Sequence, residues 1–526
     1  MQGYVKLAAE GRYADALKLI KEDNPFPYVC GAICNKRCEE ACTRGKIDQP
    51  VSIDEIKKYI AAQELDQDKR YIPLCETDHG GMWGEEYKMA IIGAGPAGLS
   101  CAYYLRERGY DVTVFEKESR PGGMLMNGIP NFVLEKEILE AEIDVLKQMG
   151  VVFQCNTEIG KDITIQQLRE QGYKAFYLAI GLQGGRKANV DGEENEGVES
   201  AVSFLKRTNQ DHSIRLHGDV TVIGGGNVAI DVARVAKRIA DGNVTMVCLE
   251  GIHEMPAAKE EIEIARQEGI TIQTGWGPKE IVAKDGKVTN IVLKKCTRLK
   301  DEDGKFSPLY DEEDTLEVAC SYIVEAIGQS SELGGLLDGE DVEVRKNGLV
   351  IADPITFQTT VEDIFVGGDI YHGAKFAIDA IAEGKKASES MHRFVHVGQS
   401  LLVARDLREF VELNKEEIVV EGYDNAKRQI PGKRHVDDPF KDTKRLLTEE
   451  QVKIEAKRCL GCGATTVDIN RCIGCGLCTT KCAFDAIHLT RDLPDASRML
   501  RVEDKLKLIG PYAAKRGIKI LLHKNK

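Results

Sequence analysis

Residues 87–117 read YKMAIIGAGPAGLSCAYYLRERGYDVTVFEK, and this stretch decides the fold. A short apolar strand, predicted at Met89 to Ile92, leads into the glycine-rich turn Gly93-Ala94-Gly95-Pro96-Ala97-Gly98. A helix predicted over Leu99 to Arg108 follows. A second strand, Asp111 to Phe115, then ends at the acidic residue Glu116. This order of strand, turn, helix, strand and acid predicts a dinucleotide-binding unit rather than an ordinary glycine turn.

Each residue of the motif has a physical role. Gly93 permits the tight turn, Gly95 lets the backbone approach a pyrophosphate, and Gly98 lets the helix pack closely on the strand. The start of the helix offers free N–H groups and the positive end of its dipole to the phosphates. Glu116, at the end of the second strand, can accept hydrogen bonds from a ribose 2′-hydroxyl.

Composition limits the class of protein. The chain has 526 residues, which suggests three or four domains at about 100–200 residues each. No apolar run reaches about 18 residues, so no membrane span is expected. The first twenty residues carry scattered charges and predict an amphipathic helix rather than a signal peptide. A net charge of −14 argues against nucleic acid or an anionic membrane as the main partner, and we expect a cytoplasmic protein.

The sixteen cysteines are unevenly distributed. Near the N-terminus, cysteines spaced four apart predict one slowly drifting helical face or a short irregular loop. Four thiolates suit one 4Fe-4S cluster, and the alternatives are a zinc site or a plain cysteine stripe. This group consists of Cys30, Cys34, Cys38 and Cys42.

The second cysteine group lies near the C-terminus. A CxxCxxCxxxC motif formed by Cys472, Cys475, Cys478 and Cys482 is highly specific for an iron–sulfur cluster. Cys459 and Cys462 precede it and resemble a truncated motif, with Thr465 where a third cysteine would fall. Six thiolates cannot fill two four-cysteine clusters. Either one cluster stands beside an uncommitted pair, or a second cluster takes a non-cysteine ligand.

The remaining cysteines stand singly, and we expect them to pack as small hydrophobic residues. Cys101 is alone on the first helix, and no CxxC pair lies within the first dinucleotide-binding domain. This argues against a disulfide reductase with a redox-active cysteine pair.

The opening pattern occurs a second time. A strand at Asp219 to Ile223 leads to the turn Gly224-Gly225-Gly226-Asn227-Val228-Ala229, followed by a helix, Ile230 to Ala240. A strand at Val244 to Leu249 then ends at Glu250. Two such units imply two dinucleotides, the layout of a flavoprotein that takes hydride from a nicotinamide. The alternative is a second phosphate loop kept only as structure.

Other segments complete the two domains. The loop Arg120 to Pro130, with Gly123 and Met124, can lie against a planar cofactor. The apolar strand within Thr359 to Asp369 delivers Asp369 after Gly368, where it can meet a ribityl hydroxyl, unless it is an exposed turn residue. The other predicted elements are helices at Tyr4 to Lys21, Val51 to Gln63 and Lys375 to Arg393, a crossing strand at Ala175 to Arg186, antiparallel strands within Asp285 to Glu325, and a return through Gly328.

These elements predict an α/β protein in which a nicotinamide domain is inserted into an FAD domain. The predicted domains are an N-terminal helical iron–sulfur domain (1–85), the first half of the FAD domain (86–205), the nicotinamide domain (206–328), the second half of the FAD domain (329–395), a linker with one or two helices (396–450) and a C-terminal ferredoxin-like α+β module (451–526).

Taken together, the motifs resemble the small (β) subunit family of NADPH-dependent glutamate synthase. This family extends to the flavin half of dihydropyrimidine dehydrogenase and to flavin subunits of electron-bifurcating transhydrogenases. The resemblance covers about Gly3 to Arg491. It rests on the N-terminal cysteines and on GAGPAGL, PGGMLMNGIP, AIGLQGGR, GGGNVAIDVAR, EMPA, AIGQ, GGD and EAKRCLGCG.

The resemblance implies FAD, a nicotinamide dinucleotide and 4Fe-4S clusters, at least one at each end of the chain. The candidate FAD residues are Gly93, Gly95, Pro96, Ala97, Gly98, Glu116, Lys117, Gly123, Met124, Gly368 and Asp369. The candidate nicotinamide residues are Gly224, Gly226, Asn227, Val228, Ala229, Glu250 and Gly328.

Three departures from the family pattern matter. Family members carry a cysteine-rich segment before the helix that opens this chain, so we expect one N-terminal cluster to have lost its ligands or to take them from a partner. NADPH-using relatives have arginines after the second nicotinamide strand, where this chain has Leu249 and Glu250. A carboxylate repels a 2′-phosphate but can bind a 2′-hydroxyl, which predicts a preference for NAD(H) over NADP(H). The C-terminal cysteine module is absent from the simplest glutamate synthase subunits.

The favoured function is a flavin and iron–sulfur subunit that exchanges hydride with NAD(P)(H) and single electrons with other redox subunits. The partner is expected to be ferredoxin or another iron–sulfur protein in an anaerobic, heteromeric complex, of which an electron-bifurcating complex is one form. The alternatives are the reductant-supplying subunit of glutamate synthase or dihydropyrimidine dehydrogenase, and a structural adaptor. Such chemistry needs no general base, so no catalytic acid or nucleophile is assigned. His372 is predicted to be a loop packing residue.

Overall fold

The structure is a computed structural model that describes residues 1–75, 87–396, 398–405, 414–415, 422–462, 467, 472–481, 487–489 and 502–523. It divides into two units, Met1–Gly463 and Ala464–Lys526. Within the described ranges, no helix combines the length and apolar character needed to cross a membrane.

The first unit begins with a small helical domain. Its core joins Val5, Leu17 and Ile56, which are all almost fully buried. The single helix predicted from Tyr4 to Lys21 is wrong, because Gly11 adopts a positive φ of 75° and separates two shorter helices. The helices are Gln2–Ala9, Tyr13–Lys21, Pro27–Ile33, Arg37–Glu40 and Ile53–Ala62, with short 3-10 turns at Thr43–Lys46, Gln63–Leu65 and Gln67–Lys69.

A five-stranded parallel sheet follows, with Lys88–Ile92 as its central strand. The predicted first helix begins earlier than expected, at Pro96, because proline is favoured in the first helical turn. In spatial order the strands are Ile364–Val366, Tyr173–Leu178, Lys88–Ile92, Asp111–Phe115 and Val152–Gln154. The helices of this domain are Pro96–Glu107, Met124–Asn127, Lys136–Gln148, Ile165–Glu170, Asp369–His372 and Ala377–Val395.

A second five-stranded parallel sheet is inserted between the two halves of the first domain. The strands in spatial order are Val198–Ser200, Tyr322–Glu325, Val220–Ile223, Val244–Cys248 and Thr271–Thr274, with helices Ala201–Gln210, Asn227–Ile239 and Lys259–Gln267. Where the chain leaves and re-enters the first domain, Gly184–Gly185 pairs antiparallel with Gln329–Ser330. The predicted insertion of one α/β domain into another is therefore confirmed.

Beside the second sheet lies a three-stranded antiparallel sheet formed by Trp276–Lys284, Lys287–Lys300 and Phe306–Ala319. The antiparallel prediction for Asp285 to Glu325 is wrong at its end, because Tyr322–Glu325 pairs in parallel with Val220–Ile223. This last strand is buried at three of its four residues, which is typical of a strand inside a parallel sheet.

The described part of the predicted linker 396–450 packs against the rest of the first unit, and the remainder of the range lies outside the described residues. Before Glu449, the described residues of this range contain no helix. Phe440 is buried in the core of the second domain, and its carbonyl accepts a hydrogen bond from Asn131 Nδ2 at 3.0 Å. The following helix, Glu449–Lys457, packs into the N-terminal helical core through Val452 and Ala456. The predicted boundary at 451 is therefore wrong, since this helix belongs with the N-terminal domain.

The described part of the second unit contains two helices, Leu477–Lys481 and Val502–His523. Cys482 lies outside the described residues, as does Thr465. The ferredoxin-like fold of this unit stays a prediction.

Candidate functional site

The first glycine-rich turn has the geometry that its motif requires. Gly93 has a φ of 104°, and a Cβ there would lie 2.4 Å from the carbonyl oxygen of Ala179. A Cβ on Gly98 would lie 2.0 Å from the carbonyl oxygen of Gly93, so only glycine lets the helix approach the strand this closely. Around Gly95, by contrast, no atom lies within 4 Å of a built Cβ. This open backbone at a helix start fits a pyrophosphate.

Glu116 has a role in the turn that the motif alone did not indicate. Its Oε2 accepts a hydrogen bond from the N–H of Ala94 at 2.8 Å, and its Oε1 accepts one from Glu118 at 2.9 Å. The side chain is buried, and this burial raises its pKa. Each oxygen keeps a further lone pair for a ribose hydroxyl. Glu116 therefore braces the turn and can still bind a nucleotide.

Asp369 begins the short helix after the last strand of the first sheet. Its Oδ1 accepts a hydrogen bond from the N–H of Lys375 at 3.2 Å. Gly368, just before it, has a φ of 73° and donates its N–H to Glu383 Oε2 at 2.7 Å. A Cβ on Gly368 would lie 3.0 Å from Ala97 Cβ. Asp369 is thereby held beside the first turn, as its predicted contact with a ribityl hydroxyl requires.

His372 packs the same loop. Its Nε2 lies 2.7 Å from Glu383 Oε1, and its Nδ1 lies 2.6 Å from the carbonyl oxygen of Gly373. Burial lowers the pKa of His372, but the hydrogen bond and charge of Glu383 outweigh this and raise it. Both neighbours carry acceptor oxygens, so the imidazole is held between them. The predicted packing role is consistent with these contacts.

The second glycine-rich turn repeats the geometry of the first. Gly224 has a φ of 142°, and a Cβ there would lie 2.4 Å from the carbonyl oxygen of Ala326. Gly226 is open, with no atom within 4 Å of a built Cβ. A Cβ built on Gly225 would lie 2.7 Å from Glu250 Oε2. The acid predicted from the sequence thus lies beside the phosphate turn.

The EMPA segment folds back onto this turn. The N–H of Ala257 donates to the carbonyl oxygen of Gly225 at 3.2 Å, and the N–H of Ala258 donates to Asn227 Oδ1 at 2.8 Å. On the helix that follows the turn, Asp231 was not predicted as a site residue, although it lies within GGGNVAIDVAR. Burial and the charge of Glu261 raise the pKa of Asp231 to about 7.

A single cavity of about 1030 Å³ connects these features. This volume exceeds the range of about 300–1,000 Å³ typical of small-molecule pockets. The candidate residues on its wall are Gly93, Gly95, Pro96, Ala97, Glu116, Lys117, Gly123, Met124, Gly368, Asp369, Asn227, Val228 and Cys34. Asp231, Glu260 and Glu261 also line it. The candidates that lie behind or away from this wall are Gly98, Gly224, Gly226, Ala229, Glu250 and Gly328.

The N-terminal cysteines reach this cavity through Cys34. Cys30 is buried in the core shared with the FAD domain, whereas Cys38 is half-buried. Burial raises the pKa of both thiols, and the nearby charge of Cys34 raises it further. Cys42 and Cys459 pack against the same core of N-terminal helices. The four-cysteine cluster predicted for this segment stays a prediction.

Asp54 is a buried carboxylate near this group that no sequence motif singles out. Its charge raises the pKa of Cys34 and of Cys38, after the larger effect of burial. Lys57 Nζ lies 2.6 Å from Asp54 Oδ1, whereas the buried Oδ2 has no hydrogen-bond partner among the described residues. A buried oxygen without a partner beside two thiols fits a metal-containing group.

In the second unit, Cys472, Cys475 and Cys478 are exposed. The N–H of Gly474 lies 3.4 Å from Cys472 Sγ, and such N–H···S bonds suit a loop that carries an iron–sulfur cluster. Within the described parts of the chain, no three His, Cys, Asp or Glu side chains converge enough to hold a single metal ion. The thiolates of a 4Fe-4S cluster bind different irons and do not converge on one point.

Comparison with protein families matches both halves of this architecture. Residues 87–384 match the pyridine nucleotide-disulphide oxidoreductase model. Residues 1–69 match the model for dihydropyrimidine dehydrogenase domain II, which is described as carrying a 4Fe-4S cluster.

Three curated relatives are similar over most of the chain. The β subunit of NADP(+)-dependent formate dehydrogenase from Moorella thermoacetica is 35% identical over 87% of this chain and 68% of its own. The PreT subunit of NAD-dependent dihydropyrimidine dehydrogenase from Escherichia coli is 35% identical over 73% of this chain and 85% of its own. The small chain of glutamate synthase [NADPH] from Escherichia coli is 32% identical over 75% of this chain and 86% of its own.

Among solved structures, FprA from Mycobacterium tuberculosis is similar in fold. It superposes with a TM-score of 0.51 at 18% identity, over 59% of this chain and 85% of its own. At this identity the likeness concerns the fold alone.

Two dinucleotide folds, a shared cavity and an N-terminal iron–sulfur domain define a flavin-dependent oxidoreductase that uses a nicotinamide dinucleotide. Its cofactors are FAD, NAD(P)(H) and 4Fe-4S clusters. The chain belongs to the pyridine nucleotide-disulphide oxidoreductase family and is related to the three oxidoreductase subunits just described. Cys101 is fully buried, with its Sγ 3.7 Å from Met391 Sδ, which confirms its packing role.

Proposed function

We propose that this chain exchanges hydride with NAD(H) and passes single electrons to other subunits of a cytoplasmic complex through its iron–sulfur clusters. The observation that carries this proposal is the shared cavity. Its wall includes the first phosphate turn, Asn227 and Val228 of the second turn, and Cys34 of the iron–sulfur domain. One continuous space therefore touches the elements expected to hold all three cofactors.

FAD supplies the conversion between a two-electron hydride and single electrons that the clusters need. The protein's own contribution is to bind, orient and exclude water. Gly95 and Gly226 present open backbone to two pyrophosphates, and Glu116 holds the first turn in place. No general acid or base is required of the chain.

The position of Glu250 supports a preference for NADH. Its Oε2 would lie 2.7 Å from a Cβ on Gly225, so the carboxylate is at the phosphate turn itself. A 2′-phosphate placed near this carboxylate would be repelled, whereas a 2′-hydroxyl can donate to it.

The range of similarity favours one class of partner. The formate dehydrogenase subunit matches 87% of this chain, whereas the dihydropyrimidine dehydrogenase and glutamate synthase subunits match 73% and 75%. We therefore place the chain in an electron-transfer complex with ferredoxin or another iron–sulfur protein. Supplying reductant to a glutamate synthase or dihydropyrimidine dehydrogenase is the second candidate. An electron-bifurcating complex would be one form of the electron-transfer complex.

Two glycine substitutions test this proposal in the full chain. In Gly226→Ala the new methyl group enters open space at the second turn, so reduction of the flavin by NADH should weaken at least tenfold while FAD content stays normal. In Gly95→Ala, FAD itself should be lost. Gly432→Ala is the control, since its Cβ also meets open space but belongs to neither glycine-rich turn. Normal reduction by NADH in Gly226→Ala would contradict the assignment.

A further inference from the structure

The end of the first unit returns to the N-terminal domain and brings two distant groups of cysteines together. The helix Glu449–Lys457 starts with a capping box between Thr448 and Gln451. Its apolar face, with Val452 and Ala456, completes the core of the N-terminal helices. Cys459 and Cys462 directly follow this helix. They are therefore part of the N-terminal domain in space, although they are near the C-terminus in sequence.

A buried charge network fixes this junction. Arg44 makes two bonds of 2.7 Å to the Asp48 carboxylate, and Arg458 adds a third at 3.0 Å. Arg44 Nη1 also donates to the carbonyl oxygen of Arg458 at 3.2 Å. Both arginine side chains are almost fully buried. Burying such charges is costly, so the network is better explained by positioning than by stability.

The network brings the segment that carries Cys42 against the segment that carries Cys459 and Cys462. Thr43 Oγ1 and Cys462 Sγ are 3.1 Å apart, and Gln2 Nε2 lies 3.9 Å from the same sulfur. Cys42 and Cys459 both pack against the core of the N-terminal helices. Cys42, Cys459 and Cys462 are all half-buried free thiols.

We propose that Cys42, Cys459 and Cys462 together hold an iron–sulfur cluster that spans the two ends of the first unit. A CxxC pair and a more distant cysteine supply three of the four thiolate ligands that a 4Fe-4S cluster takes. Arg44 and Arg458, which stand close to Cys42 and Cys459 in the sequence, hold the two segments together through Asp48. A single metal ion fits less well, because the described residues contain no converging three-ligand set.

This site changes two expectations drawn from the sequence. The expected loss of an N-terminal cluster, or its completion by a partner, is replaced by ligands from the chain's own opposite end. Cys459 and Cys462 also no longer form an uncommitted pair beside the C-terminal motif. Cys30, Cys34 and Cys38 then remain for the cluster nearest the flavin cavity, together with Asp54.

Iron content and spectroscopy of the full-length, anaerobically purified protein test the site. Cys42→Ser, Cys459→Ser and Cys462→Ser should each lose about four iron atoms and the same component of the reduced EPR spectrum. The double variant Cys42→Ser/Cys459→Ser should lose no more than either single variant. Cys475→Ser should lose a different component, and Cys75→Ser, at an isolated cysteine, should lose none. Additive iron losses in the double variant would overturn the proposal.

A measurement without substitutions guards against variants that fail to fold. The holoprotein and the chelator-treated protein are alkylated with iodoacetamide, and the modified peptides are quantified. Cys42, Cys459 and Cys462 should be protected together in the holoprotein and become reactive together when iron is removed. Protection of Cys42 while Cys459 and Cys462 react freely would overturn the shared site. A disulfide between Cys459 and Cys462 in the holoprotein would do the same.

Discussion

Glu250 is the residue on which cofactor preference depends. Its carboxylate lies beside Gly225 in the second phosphate turn. Replacing it with alanine removes the repulsion of a 2′-phosphate and an acceptor for the 2′-hydroxyl. The ratio of kcat/KM for NADH to that for NADPH should fall about tenfold in Glu250→Ala, equivalent to on the order of 1.4 kcal/mol.

Steady-state kinetics with both nucleotides measure this ratio. Glu263→Ala removes an exposed carboxylate from the same domain and should leave the ratio unchanged. An unchanged ratio in Glu250→Ala would mean that another residue sets the preference.

Lys136 makes stability depend on pH. Its Nζ donates to the carbonyl oxygens of Leu125 and Ile129, in the loop that carries Gly123 and Met124. Burial lowers the pKa of Lys136 to about 7. In the unfolded chain Lys136 keeps its proton to higher pH than in the folded protein. The free energy of unfolding therefore increases as the pH rises above about 7, and this gain is lost as the pH falls back through that value.

Lys136→Met removes this titration. The Tm of the native protein minus the Tm of this variant should therefore increase from about pH 6 to about pH 9. Thermal unfolding followed by circular dichroism at both pH values measures the difference. A difference that is constant with pH would show that Lys136 keeps an ordinary pKa in the folded protein.

For single residues, the sequence predicts the backbone conformation of the motif glycines well. It predicts poorly the contacts that a side chain makes with residues distant in the sequence. The φ values of Gly93 and Gly224 follow from the turn that the motif requires. The brace that Glu116 provides, and the buried oxygen of Asp54, depend on neighbours that no local pattern specifies.

Among the elements, the helix Pro27–Ile33 connects the cysteine segment to the FAD domain. Glu142 accepts the N–H groups of Tyr28 and Val29 at 2.7 and 3.0 Å. These N–H groups belong to the first turn of the helix and have no acceptor within it. Glu142→Ala leaves both of them buried without a partner. The free energy of unfolding should fall by about 1–3 kcal/mol.

Denaturant unfolding gives this free energy, and hydrogen exchange at Tyr28 and Val29 localises the effect. Glu137→Ala, at an exposed position on the same helix as Glu142, is the control and should change neither quantity. Unprotected amides in the native protein would contradict the anchoring role of Glu142.

Helices and strands could be predicted from the sequence where the hydrophobic pattern was long and repeated. They were predicted less well where tertiary contacts determine the length of a helix or the pairing of a strand. The first helix was predicted as one because its apolar spacing continues across Gly11, yet the backbone there turns. Tyr322–Glu325 was placed among antiparallel strands because its neighbours alternate, yet it completes the parallel sheet. In both cases a local signal was overridden by packing.

For the whole molecule, the repeated turn motif was enough to predict two dinucleotide domains with one inserted in the other. What the sequence could not show is the path of residues 422–462 back to the N-terminal helices. That return depends on Phe440, Val452 and buried Arg458, which carry no pattern that distinguishes them from a linker. It also decides how the cysteines are shared between clusters.

One measurement tests the central claim, that hydride enters and single electrons leave through this chain. The anaerobic full-length protein is titrated with NADH while flavin absorbance and the EPR signals of reduced clusters are followed in the same sample. The flavin should bleach and the cluster signals should develop with it, with about two electrons taken up per NADH. Bleaching without cluster reduction, or no bleaching at all, would contradict the account.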